Sequence, residues 1–403
     1  MRENPSTTAT PPNTTNWLNR YHLWSTLPRP VVGLAPMDGV TDASFRRVVA
    51  TYGKPDLIFT EFSSAEGICH GTESELAQLI FNEIERPVIA QIYGADPDAF
   101  FHVAQLICEL GFDGLDINMG CPAKKVSSRG CGAGLIKDPL RATALLRAAR
   151  RGIRAWAGGA PLSILKLHPK IADWYMHLCR AGILSLHPGS NAPYRRRMIP
   201  VSLKTRLGID KIVIKEWVRR LLEEEPAAIS IHGRTLAQGY RGSADWDAIA
   251  EAVDTARGSG TMILGNGDLT SMNDAFWRIR QSGVDGVLIG RAAFGNPWVF
   301  RNKGALRRAV TTSRPHLREE EGPIIQDDPV PLEERFRVAL EHARLFQETR
   351  GRSRFVGMRK HLGWYCRGFQ GARAMRARMV HVNGLEEVEA LLSPRVCPEI
   401  TCA

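Results

Sequence analysis

From residue 31 onward, short apolar runs rich in β-branched residues alternate with longer amphipathic stretches. The apolar runs lie at 31–37, 56–62, 87–93, 114–118, 200–205, 227–232, 262–266 and 285–290. Most are apolar almost without interruption, as parallel strands buried on both faces require. Helical periodicity fills the intervals at 42–52, 97–110, 139–150, 211–224, 246–256 and 272–281. Several of these open on Asp or Ser, whose side chains accept from the free N–H groups of a first helical turn. Eight strands alternating with helices predict an α/β fold, a (β/α)8 TIM barrel. A doubly wound open sheet competes. Against it, Leu34-Ala35-Pro36-Met37 follows the first run where a dinucleotide-binding G-x-G-x-x-G would stand.

The same pattern sets the expected boundaries. Residues 1–27 read as a disordered lead-in, Thr-, Pro- and Asn-rich up to residue 16 and without an apolar core of the secretory kind. The barrel is expected over 28–310. One interval inside it is too long for a loop and a helix, so 153–198 reads as an insertion. It holds Trp156, Trp174-Tyr175, two Leu-His-Pro tripeptides at 167–169 and 186–188, and Arg195-Arg196-Arg197. Residues 311–330 have linker composition, with Glu319-Glu320-Glu321 and Asp327-Asp328. Helical periodicity returns over 331–395 and predicts a small C-terminal helical domain.

Charge adds a partner class. Lys+Arg exceed Asp+Glu by 53 − 42 = 11, which favours a polyanion. Residues 350–380 contain nine Lys/Arg and no Asp or Glu, interleaved with Phe355, Trp364, Tyr365 and Phe369. A basic helical surface with aromatics suits RNA; a solvated basic face over an aromatic core is the plainer alternative. The eight cysteines are scattered without C-x-x-C spacing, so neither a disulfide framework nor a metal site is expected. No apolar run reaches membrane-spanning length. A cytoplasmic monomer is the expectation.

Functional groups of a TIM barrel gather at the C-terminal ends of its strands. Those ends carry Pro36-Met37-Asp38, Gln91, Asn118 leading to Cys121, Lys204 and Arg206, His232-Gly233-Arg234-Thr235, Asn266-Gly267-Asp268, and Gly290-Arg291. Glycine turns after strands 7 and 8, with Arg291, form a candidate phosphate site. A lysine inside a barrel needs a partner. A reduced flavin, anionic on its ring, would serve for Lys204, as would a salt bridge to Asp116 or Glu61. His232 reads as a core histidine or as a donor to a cofactor ring. Cys121 sits on a Pro- and Gly-rich turn followed by Lys124-Lys125. It can be a nucleophile or a proton donor; no base adjoins it in sequence, and an ordinary thiol is protonated at pH 7.

Taken in order, these motifs resemble the tRNA-dihydrouridine synthases, flavoproteins that reduce uridine in tRNA. The resemblance rests on Ala35-Pro36-Met37-Asp38-Gly39-Val40-Thr41-Asp42, Asn118-Met119-Gly120-Cys121-Pro122 with Lys124-Lys125-Val126, and Lys204-Thr205-Arg206. It continues through His232-Gly233-Arg234-Thr235 with Gln238-Gly239-Tyr240, then Asn266-Gly267-Asp268 and Gly290-Arg291. Arg359-Lys360-His361-Leu362-Gly363-Trp364-Tyr365 is similar to the bacterial B-type branch. The resemblance implies FMN held by Pro36, Met37, Asp38, Gln91, Lys204, His232, Asn266, Gly267, Asp268, Gly290 and Arg291. It implies a uracil held by Asn118, Arg206 and Tyr240. Hydride would pass from reduced FMN to C6 and a proton from Cys121 to C5, with NADPH (or NADH) as reductant. Lys124, Lys125, Arg359, Lys360 and Arg367 would contact tRNA. The alternative is a flavin oxidoreductase of a free pyrimidine, of the dihydroorotate or dihydropyrimidine kind.

Overall fold

The computed structural model describes residues 22–181, 196–313, 325–327 and 329–393. Eight strands pair in parallel, in chain order, and close on themselves. They are β1 Val31–Leu34, β2 Ile58–Ser64, β3 Val88–Tyr93, β4 Gly114–Met119, β5 Val201–Arg206, β6 Ala228–His232, β7 Met262–Asn266 and β8 Gly286–Ile289. β8 returns to β1 with Val31 opposite Gly286 and Leu34 opposite Ile289. Nearly every strand residue is buried, which accounts for the unbroken apolar runs. The first run ends at Leu34 rather than at residue 37, because the chain turns out of the sheet ahead of Pro36.

Sixteen α-helices occur among the described residues. They are α1 His22–Thr26, α2 Ala43–Tyr52, α3 Ala65–Cys69, α4 Glu73–Ala77, α5 Pro97–Glu109, α6 Lys124–Ser127, α7 Pro139–Ala157 and α8 Pro169–Arg180, then α9 Ile214–Leu222, α10 Trp246–Ala256, α11 Met272–Ser282, α12 Lys303–Thr312, α13 Leu332–Arg350, α14 Arg359–Tyr365, α15 Ala372–Met379 and α16 Leu385–Leu392. The acid or serine ahead of several of them is a working cap. Asp42 accepts from Phe45 N, Asp96 from Asp98 N, Asp245 from Ala248 N and Ser271 from Asp274 N.

Two expectations change. The lead-in was expected to be disordered through residue 27, yet α1 is helical. Trp24 and Leu27 are buried with Phe59, Ile89, Leu264 and Leu288 inside the barrel. A large apolar ring gains too much by leaving water to stay outside; residues 1–21 lie outside the described set. The expected insertion begins within α7, which continues to Ala157. A 3-10 turn, Ser163–Lys166, and α8 then lie on the outer face of α5. Ser163 Oγ donates to Gln105 Oε1 at 2.7 Å, and Trp156 Nε1 and Tyr175 OH donate to the Glu109 carboxylate at 2.8 and 2.6 Å. Glu109 ends α5, at the end of the barrel away from the Cys121 turn. The second Leu-His-Pro, Arg195, residues 314–324, and residues 394 and 395 lie outside the described residues.

The helices α13–α16 have their own core of Phe336, Phe346, Phe355, Leu362 and Tyr365, which Val48 of α2 and Trp298 join. Trp364 stacks on Phe294, in the segment after β8, at 4.0 Å and 14°. Lys360 Nζ donates to Gly39 O in the loop after β1. The basic helical region is thereby docked beside the strand C-termini.

Candidate active site

The loop after β1 is the first wall of the mouth. Met37 N donates to Thr41 Oγ1 at 3.0 Å, and Thr41 N returns to Met37 O. Thr41 O accepts from Arg46, a buried arginine that also pairs with Glu85 at 2.6 Å. Pro36, Met37 and Asp38 are held in place from behind.

On the next strands the polar residues form one relay. Ser202 Oγ donates to Asp116 Oδ1 at 2.6 Å, and Gln91 Nε2 donates to Asp116 Oδ2 at 2.7 Å. Gln91 Oε1 accepts from Asn118 Nδ2 at 2.9 Å. Asn118 Oδ1 accepts from the amides of Gly120 and Cys121 at 3.0 and 2.8 Å. Burial raises the Asp116 carboxyl to about 6. Gln91 and Asn118 therefore face each other; Asn118 shapes the Cys121 turn, and Gln91 holds Asn118.

Cys121 is buried against Val126 and Cys131. The loop closes over it because residue 132 is glycine: its φ is +54°, and a Cβ there would stand 3.0 Å from Cys121 Cβ. Burial is the largest cause acting on the thiol and pushes its pKa above the ordinary value, aided by Asp38. The Ala123 N–H, Arg206 and Lys204 pull the other way. A thiol in this state is a proton donor at neutral pH rather than a thiolate nucleophile.

Lys204 does not form the salt bridge open to it in sequence. Its Nζ donates to Asn266 Oδ1 at 3.2 Å. Glu61 pairs instead with Arg350 of α13 at 3.3 Å. Burial, then repulsion from Arg206, lower Lys204 to about 8. Arg206 ties two loops together, donating to Gly120 O at 2.7 Å, Thr235 O at 3.2 Å and Gly239 O at 3.1 Å. Tyr240 stands on this loop with 68% of its surface exposed. The guanidiniums of Arg206 and Arg291 lie 6.0 and 5.9 Å from its ring centre.

His232 is buried, and its Nδ1 has no partner among the described residues; the same holds for Ser230 Oγ and Arg234 Nη1. Ser230 and His232 alternate on β6 and so share one face. Burial first, then Lys204, Arg206, Arg234 and Arg291, push His232 down to about 2. Its ring is neutral, one nitrogen donating and the other accepting. His342 and His361 of the helical region also have unpartnered ring nitrogens; what distinguishes His232 and Arg234 is that they stand at the mouth, where a ligand or water can complete the bonding.

At the turns after β7 and β8, Gly267 has φ +134°, and a Cβ there would meet the Ala244 Cβ at 2.7 Å. Asp268 has φ +53°. Its carboxylate accepts from Arg234 at 2.7 Å, Ala244 N at 2.8 Å and Arg291 at 2.8 Å. Asp268 is thus bound to two arginines, and as a carboxylate it orients those cations rather than binding an anion itself. Arg291 at Gly290 and the glycine turn remain the anion-favouring elements. Arg234, within the His232–Thr235 motif, is a further residue of the site, and no local sequence pattern marks its pairing with Asp268.

The proposed tRNA contacts do not form one patch. Lys124 and Lys125 are exposed on α6 at the mouth, and Lys360 is exposed beside Gly39. Arg359 is occupied within the helical region, donating to Val382 O at 2.9 Å, Asn383 Oδ1 at 2.7 Å and His381 O at 3.3 Å. Arg367 lies at the far end of α14, near Arg335 and Arg376.

The family model described as dihydrouridine synthase matches residues 33–175 and 192–400. The chain belongs to the dihydrouridine synthase family. Among its relatives, a protein named "Probable tRNA-dihydrouridine synthase 2" from Bacillus subtilis (strain 168) is 33% identical over 376 residues, covering 92% of this chain and 95% of that protein. A "Probable tRNA-dihydrouridine synthase" from Staphylococcus aureus (strain COL) is 31% identical over 379 residues, covering 93% and 95%. One of the same name from Staphylococcus epidermidis is 30% identical over 379 residues, covering 93% and 96%. The family match breaks only between 175 and 192, so most of the segment read as an insertion, including the start of α8, is shared with the family.

Proposed function

We propose that this dihydrouridine synthase family member reduces the C5=C6 bond of a D-loop uridine in tRNA, using FMN and NADPH. The observation that carries the reading is the buried, protonated Cys121 thiol, held by Asn118 beside a mouth lined with orphaned donors. FMN fits that donor set. Lys204 and His232 suit an electron-rich ring edge, Gln91 and Asn266 its polar rim, and Gly267, Gly290 and Arg291 its phosphate, with Pro36–Asp38 along one side. Asp268 would act through the arginines that it binds. When bound, FMN kept reduced by NADPH supplies a hydride to C6 of the uracil.

The chain's own residues supply the rest. As C6 gains hydride, negative charge builds on C5 and O4. The Cys121 S–H gives its proton to C5, and the resulting thiolate regains one from solvent. The relay from Ser202 through Asp116, Gln91 and Asn118 fixes the turn from which the thiol reaches. Asn118, Arg206 and Tyr240 would hold the uracil, the exposed Tyr240 ring offering a face for the flipped base. Lys124, Lys125 and Lys360, beside the mouth, would meet tRNA phosphates; Arg359 and Arg367 contribute less directly. A helical region docked at the mouth favours a macromolecular substrate over a free pyrimidine.

The test is NADPH-dependent turnover on unmodified tRNA, free uracil and orotate, with the purified protein inspected for bound FMN. Dihydrouridine in tRNA alone is expected. Turnover confined to a free base would overturn the reading in favour of a dihydroorotate- or dihydropyrimidine-type enzyme.

A further inference from the structure

A cavity of about 520 Å³ opens beside the Cys121 turn, between the loops that follow β1 to β4. Asp38 and Lys125 are on its lining, but Glu66, Glu75, Phe62 and Tyr93, which also line it, have no role above. Its volume is in the range of small-molecule sites. Phe62 and Tyr93 form one wall, edge to face at 5.1 Å, and pack against the same Val126 and Cys131 that bury Cys121. Whatever fills the cavity is therefore a near neighbour of the base at Cys121.

The polar lining is mostly acceptor. Glu66 Oε1 is pinned by the amides of Ala95 and Asp96 at 2.6 and 2.9 Å. Glu75 Oε2 is pinned by Ser64 N at 2.7 Å. The other oxygen of each carboxylate is spare: Glu66 Oε2 has only Ser64 Oγ at 3.4 Å, and Glu75 Oε1 has no partner among the described residues. The exposed side chains of Lys125 and Arg129 also line this cavity. Fixed carboxylates repel phosphate, so the interior does not suit the RNA backbone. They accept well from exocyclic amino groups, and aromatic walls suit a base. The cations suit the phosphates that follow such a base.

We infer that this cavity receives the base of a nucleotide next to the target uridine, and selects one bearing an exocyclic amino group (adenine, cytosine or guanine). Uracil lacks that group: it offers the spare carboxylate oxygens only its ring N3–H, flanked by two carbonyl oxygens that they repel. The inference rests on the tRNA reading and deepens it to a sequence preference.

The test uses the full-length protein and tRNA transcripts in which each neighbour of the reduced uridine is changed in turn to uridine. Binding is read by filter retention and reduction by dihydrouridine mapping. For one of the two neighbours, the unmodified protein should bind the amino-bearing transcript more tightly by about fivefold or more, the order expected of one specific base contact. Glu75→Gln keeps an oxygen for Ser64 N and turns the spare acceptor into a donor, so it should erase or invert that preference. Its FMN content and its NADPH oxidation should be unchanged. Equal affinity of the unmodified protein for all transcripts, with reduction intact, overturns the inference and leaves the tRNA reading standing; this arm needs no variant. A preference that survives Glu75→Gln also overturns it. Failure to reduce any transcript overturns both.

Discussion

Asn118 holds the turn that carries Cys121, its Oδ1 accepting from the Cys121 amide at 2.8 Å while its Nδ2 donates to Gln91 at 2.9 Å. The thiol is thereby positioned from inside the barrel wall as well as by its own loop, where Ala133 N donates to Cys121 O at 3.2 Å. Asn118→Ala should lower kcat for tRNA reduction by about 100-fold, the usual result of displacing a reacting group by an ångström. FMN content and NADPH oxidation should be retained. Asn118→Asp keeps the acceptor and should recover part of the loss. Single-turnover kinetics on FMN-loaded, prereduced protein measure it.

Cys121→Ala should lose about 100- to 10,000-fold in tRNA reduction, the range of general-acid contributions, and keep its oxidation of NADPH. The pH profile gives a second check. Burial raises this thiol, so its acid form persists to higher pH than that of an ordinary cysteine. The rate of the tRNA half-reaction should stay flat through about pH 8.5, where a free thiol ionises. A fall beginning below pH 8 in FMN-saturated protein, and persisting in Lys204→Met, would contradict the acid role.

Lys204 should give the opposite signature. Its pKa is lowered to about 8, so its positive charge is present at pH 7 and lost as pH rises through that value. Affinity for FMN should weaken between pH 7 and 9. Lys204→Met should bind FMN more weakly at pH 7, by roughly tenfold for one lost charge-assisted contact, and should show little pH dependence over that interval. Quenching of flavin fluorescence on titrating the apoprotein reports both.

Arg359 and Lys360 are adjacent in sequence and differ in employment. Arg359→Ala removes three hydrogen bonds to residues 381–383 and should lower the melting temperature by several degrees. Lys360→Ala removes a single exposed bond, to Gly39 O, and should lower the melting temperature less than Arg359→Ala does. It should weaken tRNA binding and reduce the slope of log affinity against log salt by about one. Thermal melts and salt-titrated binding separate the two.

The barrel was legible because its physics is local. Strands buried on both faces must be apolar throughout, and the Asp or Ser at 42, 96, 245 and 271 can satisfy free helix amides wherever the chain goes. Cys121, Lys204 and His232 could be nominated because strand ends in this fold share one rim. Long-range pairing was not legible. Nothing near Glu61 announces Arg350, and nothing near Asp268 announces Arg234 and Arg291. Arg359 reads as one more cation in a basic run until its acceptors at 381–383 are brought around it. The lead-in and the insertion differ from the expectation for the same reason. Trp24 looks stranded in a polar tail, and α7 looks finished at residue 150, until the barrel interior and the face of α5 supply surfaces to bury against.

The sequence alone therefore determined the strand–helix alternation, the family motifs and which residue types meet at the mouth. The tertiary structure alone decided the state and employment of those groups: a Cys121 thiol kept protonated by burial, a Lys204 paired with Asn266 rather than Asp116, and an Asp268 committed to two arginines. The reason is that the protonation state of a buried group and its hydrogen-bond partner depend on desolvation and on neighbours distant in sequence, and both exist only once the chain has closed.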